Sequence, residues 1–206
     1  DEAIFQQTTL PPGTLAVAKS FRPFRLALER KEALVSLLEE MANQGWIEEV
    51  EGDAEGWGSP AFPVPKKLLT FRLVIDYRYL NSVSEPDSFP LPLIDNLLIK
   101  MGKKALFSVL DLSHAFHQIA MAPEDRNKTA FVTENGVWRW LVMPMGISGA
   151  PSRLQRIMHH LFGAEDDTGV FVDDILVGSE ILPGEPMETS LERHLAFSRR
   201  FGHFWD

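Results

Sequence analysis

Two short, apolar, β-branched runs, Gly169-Val170-Phe171-Val172 and Ile175-Leu176-Val177, enclose the acids Asp173 and Asp174. No other feature of the chain restricts its folding as tightly. Such runs on either side of turn residues read as a β-hairpin with carboxylates at its tip. Paired carboxylates on a rigid tip suit Mg²⁺, which prefers oxygen ligands and keeps several waters and substrate phosphates. Asp is also a frequent turn residue, so the pair taken alone reads first as a solvated turn, and its company decides.

About sixty residues upstream, Ala105-Leu106-Phe107-Ser108-Val109-Leu110-Asp111-Leu112 reads as an apolar strand with one acid near its end. Burying that acid is costly unless it is paired or holds a cation. An N-cap, or a strand-end Asp bonded to backbone amides, is the alternative. If the two strands are neighbours, Asp111, Asp173 and Asp174 form the ligand set of a two-metal site, in which one ion activates an attacking oxygen and the other steadies the leaving one.

At 206 residues and 45% hydrophobic content, the chain can bury a core as one or two compact units. No apolar run has the length of a membrane span, and no signal-peptide pattern is present. The absence of cysteine rules out disulfides and thiolate metal sites and leaves the compartment open. An intracellular setting is expected. The first residue is Asp1 rather than Met, which reads as removal of an N-terminal segment. The net charge of −9 is unevenly spread: residues 1–59 carry −6, residues 60–160 carry +4 and residues 161–206 carry −7. A basic middle between acidic flanks permits nucleic-acid contact through the middle only.

The coarse layout is mixed α/β. Residues 1–28, broken by prolines, read as an extended arm. Ala33, Leu34, Leu37, Leu38 and Met41 predict an amphipathic helix over 29–43, stopped by Gly45. Pro60–Val64 and Phe71–Asp76 predict a small basic hairpin. Helices are predicted over Pro90–Met101, Pro151–Phe162 and Glu192–Phe201. Strands are predicted over Leu106–Leu112, Lys128–Thr133 and Val137–Met143, the last entered through a turn of the Asn-Gly kind at 134–136.

Six blocks in fixed order carry a family likeness: Phe71-Arg72-Leu73-Val74-Ile75-Asp76-Tyr77-Arg78-Tyr79-Leu80-Asn81; Phe89-Pro90-Leu91-Pro92-Leu93-Ile94-Asp95; Phe107 to Leu112 with Phe116-His117-Gln118-Ile119; Lys128-Thr129-Ala130-Phe131; Val142-Met143-Pro144-Met145-Gly146 with Ala150-Pro151 and Gln155-Arg156-Ile157-Met158; and Phe171-Val172-Asp173-Asp174-Ile175-Leu176. Over roughly residues 34–180 the chain resembles the reverse transcriptase of LTR retrotransposons, closest to the gypsy type.

The resemblance implies an α+β fold: a right-hand polymerase palm, an antiparallel sheet backed by helices, with small fingers. It implies an extended arm over 1–28, a fingers-like region with the start of the palm over 29–104, a palm with the metal site over 105–180, and an acidic loop with a short helix over 181–206. The implied activity is RNA-directed DNA polymerisation. Asp111, Asp173 and Asp174 are then catalytic and hold two Mg²⁺ ions, with Mn²⁺ able to substitute. Arg72, with Lys66 or Lys67, covers the triphosphate of the incoming nucleotide, since a planar guanidinium suits phosphate. Phe116 becomes the ring that excludes a 2′-hydroxyl, and Gly146 and Gln155 take nucleotide- and template-facing places. Template-primer and deoxynucleotide are the implied partners.

The chain departs from the family pattern at several points. Phe171 stands where a Tyr is usual, Met145 where a Phe is, and Ala115-Phe116 where a Gly-Tyr pair is. Leu68-Leu69-Thr70 replaces a polar Asp-Gly turn, which should stiffen or bury the fingers tip. The likeness covers fingers and palm but not the primer grip, thumb or RNase H. The altered turn and acidic flanks leave a second expectation open: a catalytically inactive, retroelement-derived palm serving as a scaffold with protein partners in a larger assembly.

Overall fold

The computed structural model describes residues 17–202 apart from 53, 67–69, 86, 88 and 164, with side chains described as far as residue 199. The chain divides into two compact units that interleave in sequence. One takes residues 1–87 and 116–150, the other 88–115 and 151–206.

The first unit is built on a five-stranded sheet. Its strands are β1 (Ile47–Glu49), β2 (Ser59–Pro65), β3 (Phe71–Ile75), β5 (Phe131–Thr133) and β6 (Gly136–Trp140), in the order β1-β6-β5-β2-β3. Helix α1 (Leu28–Asn43) packs on it through Leu34, Leu38 and Met41, the buried members of the stripe expected for 29–43. The helix ends where a glycine allows it to. Gly45 takes φ +70°, its N–H bonds to the Ala42 carbonyl, and the Trp46 N–H bonds back to Met41, the paired closure of a Schellman stop. Phe131 and Tyr77 are buried at the centre, and the Tyr77 hydroxyl donates to the Thr129 carbonyl at 2.8 Å. The helix α2 (Arg78–Val83) follows Tyr77 directly.

The second unit has a three-stranded antiparallel sheet of order β4-β8-β7, from β4 (Leu106–Asp111), β7 (Thr168–Phe171) and β8 (Asp174–Ser179). The helices α3 (Ile94–Met101), α5 (Ala150–Phe162) and α6 (Met187–Gly202) belong with it, α3 packing on β7 and α6 on β4 and β8. Ile175 and Val177 of β8, with Leu154, Ile157, Met158 and Phe162 of α5, form its core.

Several element bounds move for local reasons. The helix expected from Pro90 begins at Ile94, because Pro92 lacks an N–H and pushes its predecessor towards extended backbone, and Leu93 is still extended. The strand expected from Lys128 begins at Phe131, since Asn127–Thr129 form a 3₁₀ turn after the four-residue helix α4 (Pro123–Arg126). The strand expected to reach Met143 ends at Trp140. The C-terminal helix starts at Met187, inside the stretch expected to be a loop. Of the expected arm, residues 1–16 lie outside the described residues, and Ser20 bridges to Gly58 in parallel fashion. The expected stiffening of the turn at 68–70 falls largely on residues outside the described ones.

Glu185 anchors the first turn of α6. Its Oε2 accepts from the Ser190 hydroxyl at 2.6 Å and from Arg193 Nη2 at 2.9 Å. The Arg193 guanidinium foremost, then the Ser190 hydroxyl, hold this carboxyl at about 2, well below its usual 4.5. A carboxylate with a depressed value contributes its stabilisation in full above the unfolded value and loses it as pH falls. Acidification from about 4.5 to about 2 should therefore loosen the start of α6, read as a helical circular-dichroism or NMR transition. Glu185→Gln should remove that dependence.

Candidate active site

The ladder between β4 and β8 places the acids. Asp111 lies directly opposite Asp174, Leu110 opposite Ile175 and Val109 opposite Leu176. Residues directly opposite in an antiparallel pair share a face, with Cβ atoms about 4.5–5.5 Å apart. That face also carries Phe107, 52% exposed, and Val109, 68% exposed. The strand alternates cleanly, so Leu106, Ser108 and Leu110 turn to the opposite, half-buried face. Asp173 sits in the turn, where its carbonyl accepts from the Leu112 N–H at 3.2 Å, carrying the pairing one residue past Asp111. The hairpin tip is thus Val172-Asp173, and Asp174 is the first residue of a strand rather than part of the tip.

Among the described residues, no ion pair or side-chain hydrogen bond engages any of these three carboxylates. Like charges directly opposite on a sheet are destabilising. The arrangement is therefore a standing cost that a divalent cation would offset. Among the described residues no three acidic or histidine side chains converge as a ready-made metal cage. This does not conflict with Mg²⁺, which binds through one or two carboxylates and completes its shell with waters and substrate phosphates. The oxygen-only donor set on adjacent strands fits such an ion. An apolar trough of about 260 Å³, lined by Ile94, Leu98, Val109, Phe171 and Leu176, abuts Asp174.

The turn is held from within. Val172 has φ +56°, a left-handed conformation that a β-branched residue adopts only under constraint and that a two-residue hairpin requires at this position. The constraint comes from Gln155 on α5. Its Nε2 donates to the Val170 carbonyl at 3.3 Å and its Oε1 accepts from the Val172 N–H at 2.7 Å. Gln155 is only 2% exposed, so its amide faces the hairpin backbone and not the solvent.

The remaining sequence-derived candidates lie in the other unit. Lys66 and Arg72 stand exposed on one hairpin, where the Lys66 N–H donates to the Thr70 carbonyl at 2.7 Å and Arg72 pairs with Val64. Lys67 lies outside the described residues. Phe116 is half-buried in a 3₁₀ turn, its carbonyl accepting from the Ile119 N–H. Gly146 takes φ +95°, and an added Cβ would stand 3.7 Å from the Tyr77 ring. Asn81 closes the first family block and carries no expected role of its own. Its Nδ2 donates to the Gly146 carbonyl and its Oδ1 accepts from the Ser148 N–H, both at 2.8 Å, which fixes the loop at Gly146. The closing Asn of the first motif was the signal available, but a partner sixty-odd residues away is invisible to spacing.

Residues 64–203 match the family described as reverse transcriptase (RNA-dependent DNA polymerase). The Retrovirus-related Pol polyprotein from transposon 297 of Drosophila melanogaster is 36% identical over 181 residues, covering 84% of this chain and 16% of that polyprotein. The chain thus spans about a sixth of this curated relative's length. The crystal structure of the prototype foamy virus protease-reverse transcriptase superposes with a TM-score of 0.80 at 18% identity, over 95% of this chain and 24% of that one. The foamy viral protease-reverse transcriptase in complex with dsDNA gives a TM-score of 0.74 at 20% identity, over 93% and 39%. These two likenesses bear on the fold.

Removing the Gln155 amide should strand the half-buried Val172 N–H. Gln155→Leu is expected to cost about 1–3 kcal/mol in denaturant unfolding. Val172→Gly should relieve the left-handed strain and raise stability by about 1 kcal/mol in the same measurement.

Proposed function

Because this chain belongs to the reverse transcriptase (RNA-dependent DNA polymerase) family, we propose that it is the fingers-and-palm part of a gypsy-type retrotransposon polymerase. It extends a primer 3′-hydroxyl with deoxynucleotides along an RNA or DNA template. The observation that carries this reading is the opposition of Asp111 and Asp174, with Asp173 beside them and all three carboxylates unengaged.

On this reading Asp111 and Asp173 hold two Mg²⁺ ions with support from Asp174, and Mn²⁺ can replace them. When bound, such ions favour the ionised primer hydroxyl and offset the charge that develops on the departing pyrophosphate. The chain's own side chains do the rest by position and charge. Arg72 and Lys66, with Lys67, take the triphosphate oxygens. The ring of Phe116 crowds the 2′ position of the incoming sugar. Asn81 holds the Gly146 loop, which offers backbone rather than side chain to the nucleotide. Gln155 acts indirectly, by fixing the turn that carries Asp173. Residues 29–104 serve as the fingers-like region with the start of the palm, and 105–180 as the palm. Binding of double-stranded nucleic acid, named for a foamy viral relative of the same fold, extends to this chain as part of the proposal. The intact acid set and the family match favour this reading over the scaffold alternative.

Primer extension on an RNA template with Mg²⁺ or Mn²⁺ tests it. Asp173→Asn is expected to lower extension about 10²–10³-fold, the scale lost with one preorganised electrostatic partner. Absence of both extension and metal-dependent nucleotide binding in the unaltered chain would return the scaffold alternative.

A further inference from the structure

Helix α6 is built inside out. Among its described side chains the buried ones are Ser190, His194 and Ser198, spaced one turn apart, while Met187, Leu191 and Leu195 lie exposed. A surface helix normally turns its apolar stripe inward, so α6 is held to the sheet by polar contacts. His194, 2% exposed, is the centre of them. Its Nε2 lies 2.9 Å from the Ser108 hydroxyl of β4, and its Nδ1 lies 2.9 Å from the Ser179 hydroxyl of β8. In the neutral ring one nitrogen donates and the other accepts, and a serine hydroxyl serves either role, so both bonds are satisfied together. Ser198 bonds back to the His194 carbonyl at 2.9 Å and steadies the same turn.

The two serines sit on different strands and not opposite one another. Ser108 pairs with Val177, and Ser179 pairs with Leu106. One imidazole therefore spans a diagonal of the ladder. A slip of one residue would turn one strand's serine to the other face, and a slip of two would set the serines either directly opposite or two residues further apart, in neither case on the diagonal that the ring spans. Strands rich in Val, Leu and Ile offer little else to distinguish one even-numbered register from the next. The register in place is the one that sets Asp111 against Asp174.

We propose that His194 is a positioning residue for the polymerase site: from behind the sheet it pins β4 and β8 in the register that brings Asp111 and Asp174 together. The inference rests on the reading of the three acids as ion ligands, and it deepens that reading by naming what holds them.

The test is amide hydrogen exchange on the full 206-residue chain, with a parallel Mn²⁺ titration followed by electron paramagnetic resonance. His194→Leu keeps side-chain bulk and removes both bonds. It should speed exchange along β4 and β8 about tenfold while β2 and β3 exchange as before. Mn²⁺ binding should weaken in His194→Leu and vanish in Asp173→Asn. Ser108→Ala should reproduce part of the exchange effect, and Ser108→Thr, which keeps the hydroxyl, should restore it. Should His194→Leu fail to fold, the Ser108 pair carries the decision. Unchanged β4 and β8 exchange in a folded variant overturns the proposal. So does a uniform rise throughout the unit with Mn²⁺ affinity unaltered, the mark of a merely structural histidine. If the unaltered chain binds Mn²⁺ no better than Asp173→Asn, the ion-site reading falls, and the exchange result alone decides the part played by His194.

Discussion

The pairing of β4 with β8 is the interaction on which the rest of the site depends, and it contains its own opposition. Apolar packing of Ile175 and Val177 draws the strands together, while the same ladder drives two carboxylates face to face. Every nearby feature helps to keep the strands in that costly arrangement. The pairing continues past Asp111 through the Leu112 bond to Asp173, Gln155 locks the turn, and His194 ties the strands from behind. The hydrophobic effect is non-directional and would accept other registers. The polar bonds choose among them.

What the sequence made legible follows from periodicity and local chemistry. The Leu34, Leu38 and Met41 stripe and the Gly45 stop were readable because α1 needs only helical spacing and one left-handed residue. The acid pair between two apolar runs gave the β7–β8 hairpin, and Asp111 was found at the end of an alternating strand. That β4 and β8 are neighbours is a long-range fact. It became an expectation only through family likeness, and the register was beyond reach. Gln155 shows the limit from the other side. A polar residue on a helix reads as exposed, yet this one is buried because its amide substitutes for a backbone partner of a strained turn. α6 misleads in the same way, since the described side chains it buries are polar while Met187, Leu191 and Leu195 stand exposed.

Charge follows a similar division between local and distant causes. The acidic C-terminal stretch is not idle surface in the described residues. Lys104 is bonded to Asp167 and reaches Glu180 at 3.4 Å, and Arg193 bridges Glu185 to the Glu180 carbonyl. Exposed pairs of this kind contribute little individually. Together they gather the ends of β8 and α6.

The interleaving of the two units has a consequence for the order in which the chain is made. β4 is complete at Asp111, but its central partner begins only at Asp174, after all five strands of the other unit's sheet have been synthesised. Until then a nascent strand bearing Phe107 and Val109 has no neighbour, and its edge is open to wrong partners. The segment between them, from Phe116 to Ala150, meanwhile completes a sheet with residues made much earlier. Cotranslational folding can therefore complete the sheet of the first unit before β8 emerges to pair with β4 and set Asp174 against Asp111.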